Sequence, residues 1–126
     1  MDIILSRQKK ALKQIKAGDF SLADADDKLK ADKEVVLAAV KKDGEALQYA
    51  DKKLKADKKI VLTAVKQYGR ALEHAGEKLK ADKKFILAAL KQNGMLLQYA
   101  DKKLKGDKEV VLIAVKKSGY ALDYAD

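Results

Sequence analysis

Apolar and polar positions recur along this chain with a period of 25 residues. In residues 33–43 the apolar side chains fall on one face of a helix, and Leu47, Ala50 and Leu54 form a second apolar face. Each period therefore predicts two short helices that pack through these faces. The second helix is either continuous or broken at Asp51, and the pattern leaves both alternatives open.

Four copies of the period keep the same residues at the same places. The most regular positions are an aspartate before the first helix, a leucine and an alanine within it, and a glycine after it. They are Asp32, Asp57, Asp82 and Asp107; Leu37, Leu62, Leu87 and Leu112; Ala39, Ala64, Ala89 and Ala114; and Gly44, Gly69, Gly94 and Gly119. Each aspartate is predicted to cap its helix, because a carboxylate can accept hydrogen bonds from the free amides of the first turn. Each glycine is predicted to end the helix in the left-handed backbone conformation.

A single copy of this unit is too short to bury both apolar faces, so the copies are expected to stack and share one core. The predicted fold is all-α: a helical-hairpin repeat solenoid of about four and a half repeats, wound as a right-handed superhelix by analogy with other helical repeats. The array consists of the half-repeat 19–31 and the repeats 32–56, 57–81, 82–106 and 107–126. Residues 1–18 do not match the repeat and predict an amphipathic N-terminal capping helix. The apolar residues of that helix are Ile4, Leu5, Leu12 and Ile15.

The composition of the chain narrows the classes of function. Its 126 residues include no cysteine and no proline, which excludes disulfides, thiolate metal sites and cysteine nucleophiles. Hydrophobic residues make up 48% and charged residues 37%, the balance of an ordered protein with a highly charged surface. No apolar run has the length of a membrane span or of a signal-peptide core. We therefore expect no membrane partner, and a cytoplasmic location or delivery into the cytoplasm of a host cell.

No arrangement of side chains in the sequence points to catalysis or to metal binding. His74 is the single histidine and occupies the place of Tyr49, Tyr99 and Tyr124, so we interpret these residues as a packing column beside the core. The capping aspartates lie one repeat apart, too far to share a cation, and the regularly spaced glycines form no phosphate-binding loop. We expect no enzyme activity, and therefore no catalytic residue, metal, cofactor or small-molecule substrate.

The net charge of +9 is distributed unevenly along the chain. Residues 57–106 carry 12 basic and 5 acidic side chains, so the central repeats favour an acidic partner. Stacking would align two rows of lysines, Lys41, Lys66, Lys91 and Lys116 in one and Lys55, Lys80 and Lys105 in the other. Such rows suit a phosphate backbone, which makes nucleic acid an alternative partner. Lysine is also an ordinary residue of helix surfaces, and repeating one surface lysine produces a row automatically.

The two positions that flank each glycine change from copy to copy and predict a binding edge. They are Asp43 and Glu45, Tyr68 and Arg70, Asn93 and Met95, and Ser118 and Tyr120. Solenoids bind through stacked variable positions of this kind, and Tyr, Arg and Met are enriched at protein interfaces. We expect Met95 and Tyr120 to be exposed, and Lys66 and Lys91 to add positive charge beside the edge. The alternative interpretation is variation that is tolerated because loops are exposed.

The segment D-K-E-V-V-L-A-A-V-K-K-D-G-E-A-L-Q-Y-A-D, residues 32–51, resembles the short α-helical repeats of a domain-of-unknown-function family. The resemblance extends over residues 19–126. Such repeats occur in bacterial secreted effectors and in proteins of large viruses and protists. The resemblance implies an array that contacts other macromolecules, and it implies no activity, cofactor or catalytic residue.

These patterns favour a non-catalytic protein-binding repeat module that contacts an acidic protein surface. The expected role is that of an inhibitor or decoy that docks on a larger enzyme or effector in host–pathogen or phage–bacterium conflict. One alternative is an RNA or DNA binder that reads the phosphate backbone with its lysine rows. Another is a structural or designed repeat scaffold, although His74, Gly76 and Phe85 depart from the consensus in the manner of a natural array.

Overall fold

The structure, a computed structural model, describes residues 3–126, with the backbone alone at Ile4. Met1 and Asp2, with which the predicted capping helix begins, lie outside the described residues. The α helices are α1 (Ile3–Ala17), α2 (Asp27–Lys30), α3 (Lys33–Lys42), α4 (Lys58–Gln67), α5 (Glu77–Lys80), α6 (Lys83–Gln92), α7 (Lys102–Lys105) and α8 (Lys108–Lys117). The 3₁₀ segments are Leu22–Asp24, Gly44–Tyr49, Leu54–Ala56, Gly69–His74, Gly94–Tyr99 and Gly119–Tyr124. No strand is present between residues 3 and 126.

The second half of each repeat is broken rather than one continuous helix. A 3₁₀ segment begins at the glycine and ends at an extended residue such as Ala50, where φ is −71° and ψ is 154°. A separate short turn follows, and the carboxylate of Asp51 accepts a hydrogen bond from the Lys53 amide at 3.0 Å. The structure thereby decides between the two alternatives that the sequence left open.

A ladder of backbone hydrogen bonds joins consecutive repeats at this break. The amide after each extended alanine donates to a carbonyl at the end of the preceding repeat, at 2.9 Å in every case. The pairs are Asp51 to Lys30, Gly76 to Lys55, Asp101 to Lys80 and Asp126 to Lys105. Because each bond uses only the backbone, the change from aspartate to glycine at position 76 leaves the ladder intact.

One continuous apolar core runs through the stacked repeats, from Ala11 in α1 to Ala121 near the end of the chain. Each long helix packs on the next, α3 on α4 and α6 on α8, and the 3₁₀ segments of successive repeats stack in the same order. The buried leucines Leu47, Leu72 and Leu97 have no exposed surface. These contacts confirm the helical repeat solenoid, whereas the handedness of the superhelix stays a prediction.

The prediction that Gly44 and its equivalents adopt a left-handed conformation is wrong. Within the described part of the chain, Gly18 alone has a positive φ, of 81°. Gly44 and Gly94 are required for another reason, which is the close approach of the next helix. A Cβ atom on Gly44 would lie 2.4 Å from the carbonyl oxygen of Ala64, and one on Gly94 would lie 2.2 Å from that of Ala114.

The joint between the second and third repeats is wider than the joints on either side of it. A Cβ on Gly69 would meet the Leu96 side chain at 3.0 Å rather than the backbone of α6, and α4 and α6 share fewer contacts than the flanking pairs of helices. Leu96 causes this difference, because it stands at a position that is alanine in the other repeats, Ala46, Ala71 and Ala121. The array therefore consists of two tightly packed pairs, 32–81 and 82–126.

The capping aspartates, which recur in every repeat, also link neighbouring repeats. Asp82 illustrates the arrangement, since it accepts a hydrogen bond from the Phe85 amide at 3.1 Å and pairs with Lys58 of the preceding repeat at 3.4 Å. The equivalent pairs are Lys33 with Asp57 at 3.1 Å and Lys83 with Asp107 at 3.1 Å. Helices α3, α4 and α6 thus each carry a lysine that pairs with the capping aspartate of the next helix.

Helix α1 occupies the place of a preceding repeat. Gln8 stands where later repeats have the bridging lysine, and its amide group donates to both carboxylate oxygens of Asp32 at 2.9 and 3.1 Å. Ile15 is buried and Leu12 is half-buried against the core, as expected. Leu5 was expected on the same face but is 45% exposed, and the buried residues of α1 are instead Ala11 and Ile15 in its later turns. The side chain of Ile4 lies outside the described part of the structure.

The capping aspartates should make stability depend on pH. The pKa of Asp82 is lowered chiefly by the hydrogen bond from the Phe85 amide, and that of Asp107 chiefly by Lys83. Burial acts to raise the pKa of Asp57, but the Ile60 amide and Lys33 outweigh it and the net change is a lowering. A carboxylate with a lowered folded-state pKa stabilises the fold above its unfolded pKa of about 3.9, and this contribution is lost as the pH falls through the folded-state value.

We therefore expect the free energy of unfolding to fall as the pH drops from about 5 towards 2. Urea titrations followed by circular dichroism at a series of pH values would measure this. The matched control is the triple variant Asp57→Asn, Asp82→Asn and Asp107→Asn, which keeps a capping side chain but cannot titrate. If the variant retained the whole pH dependence of the parent, the aspartates would not be its source.

Candidate functional site

The turn after each long helix forms a corner, and the corners of successive repeats lie side by side. The residue before each glycine is extended, with φ of −146° at Asp43, −153° at Tyr68, −157° at Asn93 and −150° at Ser118. A Cβ on Gly44 would lie 3.0 Å from the Tyr68 Cβ, and one on Gly94 would lie 3.1 Å from the Ser118 amide nitrogen. The repeats therefore stack their variable positions along one line.

We call this line the corner edge and define it by the variable residues of the last three corners, Tyr68, Arg70, Asn93, Met95, Ser118 and Tyr120. Arg70, Asn93 and Tyr120 are exposed, and Tyr120 is 79% exposed as expected. Tyr68 is half-buried and packs against the core, and Ser118 is also half-buried. Lys66 and Lys91 lie in the last turns of α4 and α6, next to the corners, and are exposed.

Met95 was expected to be exposed, and this prediction is wrong because Met95 is half-buried. Its 3₁₀ segment, Gly94–Tyr99, packs between the equivalent segments of the second and fourth repeats and is covered from both sides. Tyr120 belongs to the last segment, which has a neighbour on one side only within the described chain. Met95 and Tyr120 therefore differ in the number of neighbouring segments that flank them.

Asn93 has a structural role at the corner edge. Its side-chain oxygen accepts a hydrogen bond from the Met95 amide at 2.9 Å, and Asp43 does the same for the Glu45 amide at 3.0 Å. Tyr68 and Ser118 make no such cap. The residue before the glycine therefore caps the corner in the first and third repeats and leaves it uncapped in the second and fourth. Part of the variation at these positions reflects this structural difference.

A cluster of aromatic side chains surrounds Arg70 and extends from the corner edge to Tyr99. Arg70 Nε is 3.4 Å from Glu73 Oε2, and the pKa of Arg70 is raised first by Glu73 and then by Tyr68. The pKa of Tyr99 in the next repeat is also raised, chiefly by burial and further by Glu73, Tyr68 and Tyr124, while Arg70 opposes the change. The structure thus brings Tyr99 into the electrostatic neighbourhood of Arg70, across the joint between repeats.

The sequence interpretation separated the packing column from the corner edge and so missed this cluster. Tyr49 is 41% exposed, whereas His74, Tyr99 and Tyr124 are half-buried, and His74 Nε2 is 3.5 Å from Glu73 Oε1. Column and edge meet across the joint between repeats, because Tyr99 belongs to the third repeat and Arg70 to the second. A pattern read within one copy of the repeat does not show which residues of the next copy come near.

A family model described as a domain of unknown function, DUF4116, matches the chain at residues 9–55, 32–80 and 82–126. These matches cover most of the chain. The chain belongs to the DUF4116 family. Neither the comparison with curated proteins nor the comparison with solved structures found a match.

Each DUF4116 match spans about two of the 25-residue repeats. The matches at 32–80 and 82–126 coincide with the two tightly packed pairs, in which Gly44 meets the backbone of α4 and Gly94 meets that of α8. The match at 9–55 joins α1 to the first repeat, in agreement with α1 taking the place of a preceding repeat. Each match of the family model therefore spans two consecutive units of this chain rather than a single hairpin.

The two lysine rows of the DUF4116 array differ in their surroundings. Lys41, Lys66, Lys91 and Lys116 are all exposed and pair with no described carboxylate. The other row is half-buried, and Lys80 donates to the Glu73 carbonyl at 2.9 Å and pairs with Glu77 at 3.3 Å. Of these two rows, the first therefore offers the more available positive charge.

Two further observations concern residues 3–126 of this DUF4116 chain. No helix in this range is both long enough and apolar enough to cross a bilayer. No group of three or more His, Cys, Asp or Glu side chains in the same range is arranged to hold a metal ion.

Proposed function

We propose that this chain is a non-catalytic protein-binding module that docks on an acidic protein surface through the corner edge. The observation that carries the proposal is the stacking of the variable corners into one line, with Arg70 and the half-buried aromatic residues at its centre. Arginine and tyrosine are the side chains that most often dominate protein interfaces. Lys66 and Lys91 flank them and supply the charge that steers an acidic partner.

The role that fits such a module is an inhibitor or decoy that docks on a larger enzyme or effector. The occurrence of similar repeats in bacterial secreted effectors and in large-virus and protist proteins supports a setting of host–pathogen or phage–bacterium conflict, in the cytoplasm of the producing cell or of its host. A rigid solenoid suits this role, because the corners are held by the core and need little ordering on binding.

Charge reversal at the centre of the edge tests this proposal. A pull-down with mass spectrometry identifies the partner, and its binding is then measured with the triple variant Arg70→Glu, Lys66→Glu and Lys91→Glu. We expect an unchanged circular dichroism spectrum and loss of binding, because three exposed cations opposite an acidic surface become anions. The matched control reverses Lys41, Lys116 and Lys117, which changes the net charge equally outside the centre and should leave binding largely intact. Unchanged binding in the first variant would overturn the central site.

The exposed lysine row favours a second candidate function, binding of RNA or DNA through the phosphate backbone. Lys41, Lys66, Lys91 and Lys116 would contact successive phosphates, so affinity should fall steeply with salt concentration. A gel-shift series with a nucleic acid of mixed sequence at increasing salt measures this, and no shift at the lowest salt would eliminate the candidate. A structural or designed scaffold predicts that exchanging the corner-edge residues between repeats alters no interaction.

A further inference from the structure

An open groove with an apolar floor and basic walls lies between α1 and α3. Its volume is about 600 Å³, and its lining residues come from the C-terminal halves of the two helices. They are the apolar Leu12, Ile15 and Ala38 and the basic Lys13, Lys16, Lys41 and Lys42. Ile15 is buried, Leu12 and Ala38 are half-buried, and all four lysines are exposed. The α1–α3 groove therefore presents apolar surface between a wall of α1 cations and a wall of α3 cations.

The four lysines of the α1–α3 groove are available to a ligand. None of them pairs with a carboxylate among residues 3–126, and no acidic side chain lines the groove. Lys13 stands one period before Ala38, Thr63, Ala88 and Ile113, so the later joints have an uncharged residue at its position. Positive charge is therefore more concentrated at this joint than at the joints between later repeats.

The α1–α3 groove lies on the side of the array, where stacking of repeats does not cover it. In the middle of the array, α4 and α6 each pack against a long helix on both sides. The residues of α4 and α6 that correspond to the groove lysines of α3 are nevertheless exposed. They are Lys66, Gln67, Lys91 and Gln92. A further repeat stacked on the array would therefore leave the groove open.

We propose that the α1–α3 groove binds an amphipathic helix of a partner protein, with aliphatic side chains on one face and acidic side chains on both sides of that face. Proteins commonly bind such a helix by receiving its apolar face in a groove. Here the floor would receive the aliphatic side chains, and the two walls would pair with the acidic ones. The groove shares no residue with the corner edge and uses neither Lys66 nor Lys91, so the proposal is independent of the proposed function.

The combination of an apolar floor with cations on both walls selects this occupant over other anionic ligands. A nucleic acid backbone would pair with the lysines, but it has no aliphatic side chains for the floor formed by Leu12, Ile15 and Ala38. An aliphatic chain with one anionic head would cover the floor and neutralise only part of the two walls. An acidic amphipathic helix matches the floor and both walls together.

Fluorescence anisotropy with a labelled synthetic peptide tests the proposal on the full chain. The peptide forms a helix with leucines on one face and glutamates on both sides of that face, and a scrambled peptide of the same composition spreads the leucines around the helix. We expect saturable binding of the first peptide and binding of the second that is weaker by about tenfold or more, because only the first buries its leucines on the floor. The methyl NMR signals of Leu12, Ile15 and Ala38 should shift when the first peptide binds.

Two charge-reversal variants locate the binding. Lys13→Glu with Lys42→Glu reverses one cation on each wall and leaves Lys41 and its lysine row intact, so affinity should fall by about tenfold or more. The matched control, Lys78→Glu with Lys103→Glu, changes the net charge equally at exposed positions outside the groove and should lower affinity by less than about threefold. All four positions are exposed, so circular dichroism spectra should be unchanged in both variants.

Several outcomes would overturn the proposal. Absence of saturable binding by the first peptide would do so, and equal binding of the two peptides would show that the apolar floor plays no part. An equal loss of affinity in the two variants would indicate attraction by net charge rather than binding in the groove. If single-stranded RNA shifted the methyl signal of Ile15 while the acidic peptide did not bind, the groove would be a nucleic-acid site instead.

Discussion

Replacing Gly94 by alanine should destabilise the protein by about 3 kcal/mol, the upper range for overpacking a well-packed site. The added Cβ would lie 2.2 Å from the Ala114 carbonyl oxygen, well inside any tolerated contact. This oxygen belongs to the backbone of α8 and already accepts the Ser118 amide at 2.9 Å, so it cannot move away alone. The two repeats would have to separate, and the apolar contacts between them would loosen.

The same substitution at Gly119 is the matched control. A Cβ at this position would meet nothing within 4 Å, and φ is not positive, so Gly119→Ala should change stability by no more than about 0.5 kcal/mol. Urea unfolding monitored by circular dichroism gives both values. Gly44→Ala should behave like Gly94→Ala, because its Cβ would lie 2.4 Å from the Ala64 carbonyl oxygen. Equal costs at positions 94 and 119 would show that a conformational preference, rather than close packing, selects the glycine.

Truncating Leu97 to alanine should cost about 2–5 kcal/mol, the usual range for a fully buried leucine. Leu97 has no exposed surface and lies in the 3₁₀ segment that packs between those of the second and fourth repeats. The substitution therefore leaves a cavity that two repeats share. Part of the loss is the transfer free energy of the leucine side chain, and the rest is the cost of the cavity.

Leu122→Ala tests the same chemistry at a position that stacking does not cover. Because Leu122 is 61% exposed, its truncation should cost about 0.5 kcal/mol or less. Urea midpoints of the two variants, measured at low protein concentration, provide the comparison. If Leu122→Ala lowered the free energy of unfolding as much as Leu97→Ala does, the core would not depend on the stacking of one repeat on the next.

The architecture was predictable because the capping aspartates and the apolar stripes recur together in every copy of the repeat. The capping aspartates begin their helices as predicted, and Asp57 and Asp107 each accept the predicted hydrogen bonds from first-turn amides. The apolar stripe of residues 33–43 is buried as the helical period requires. Local preference, capping and burial agree at these positions, and such agreement makes a sequence interpretable.

The second half of the repeat was harder to predict, because its conformation is set by the neighbouring repeat. The amide of Asp51 leaves its own segment to bond the Lys30 carbonyl at 2.9 Å, and no local propensity encodes a partner 21 residues away. The left-handed prediction for Gly44 failed for the same reason. Glycine is required there by the approach of Ala64 in the next repeat, and that contact is not visible in a single copy.

The corner edge was predicted in part. That variable positions should stack follows from the repeat alone, and the structure places Tyr68, Asn93 and Ser118 at adjacent corners. The proximity of Tyr99 to Arg70 depends on the join between two repeats, so the pattern within a single repeat could not reveal it. The binding role of these residues stays a prediction.

The wide joint filled by Leu96 has a consequence for how arrays of this kind can change length. Deleting residues 57–81 would set Gly44, whose surroundings suit a close backbone neighbour, against a repeat that inserts a leucine instead. Deleting residues 57–106 as a block would instead set Gly44 against the repeat 107–126, which has alanine at position 121 and so keeps a close joint. We therefore expect gene duplication and loss to add or remove 50-residue blocks, so that natural relatives differ by an even number of hairpins.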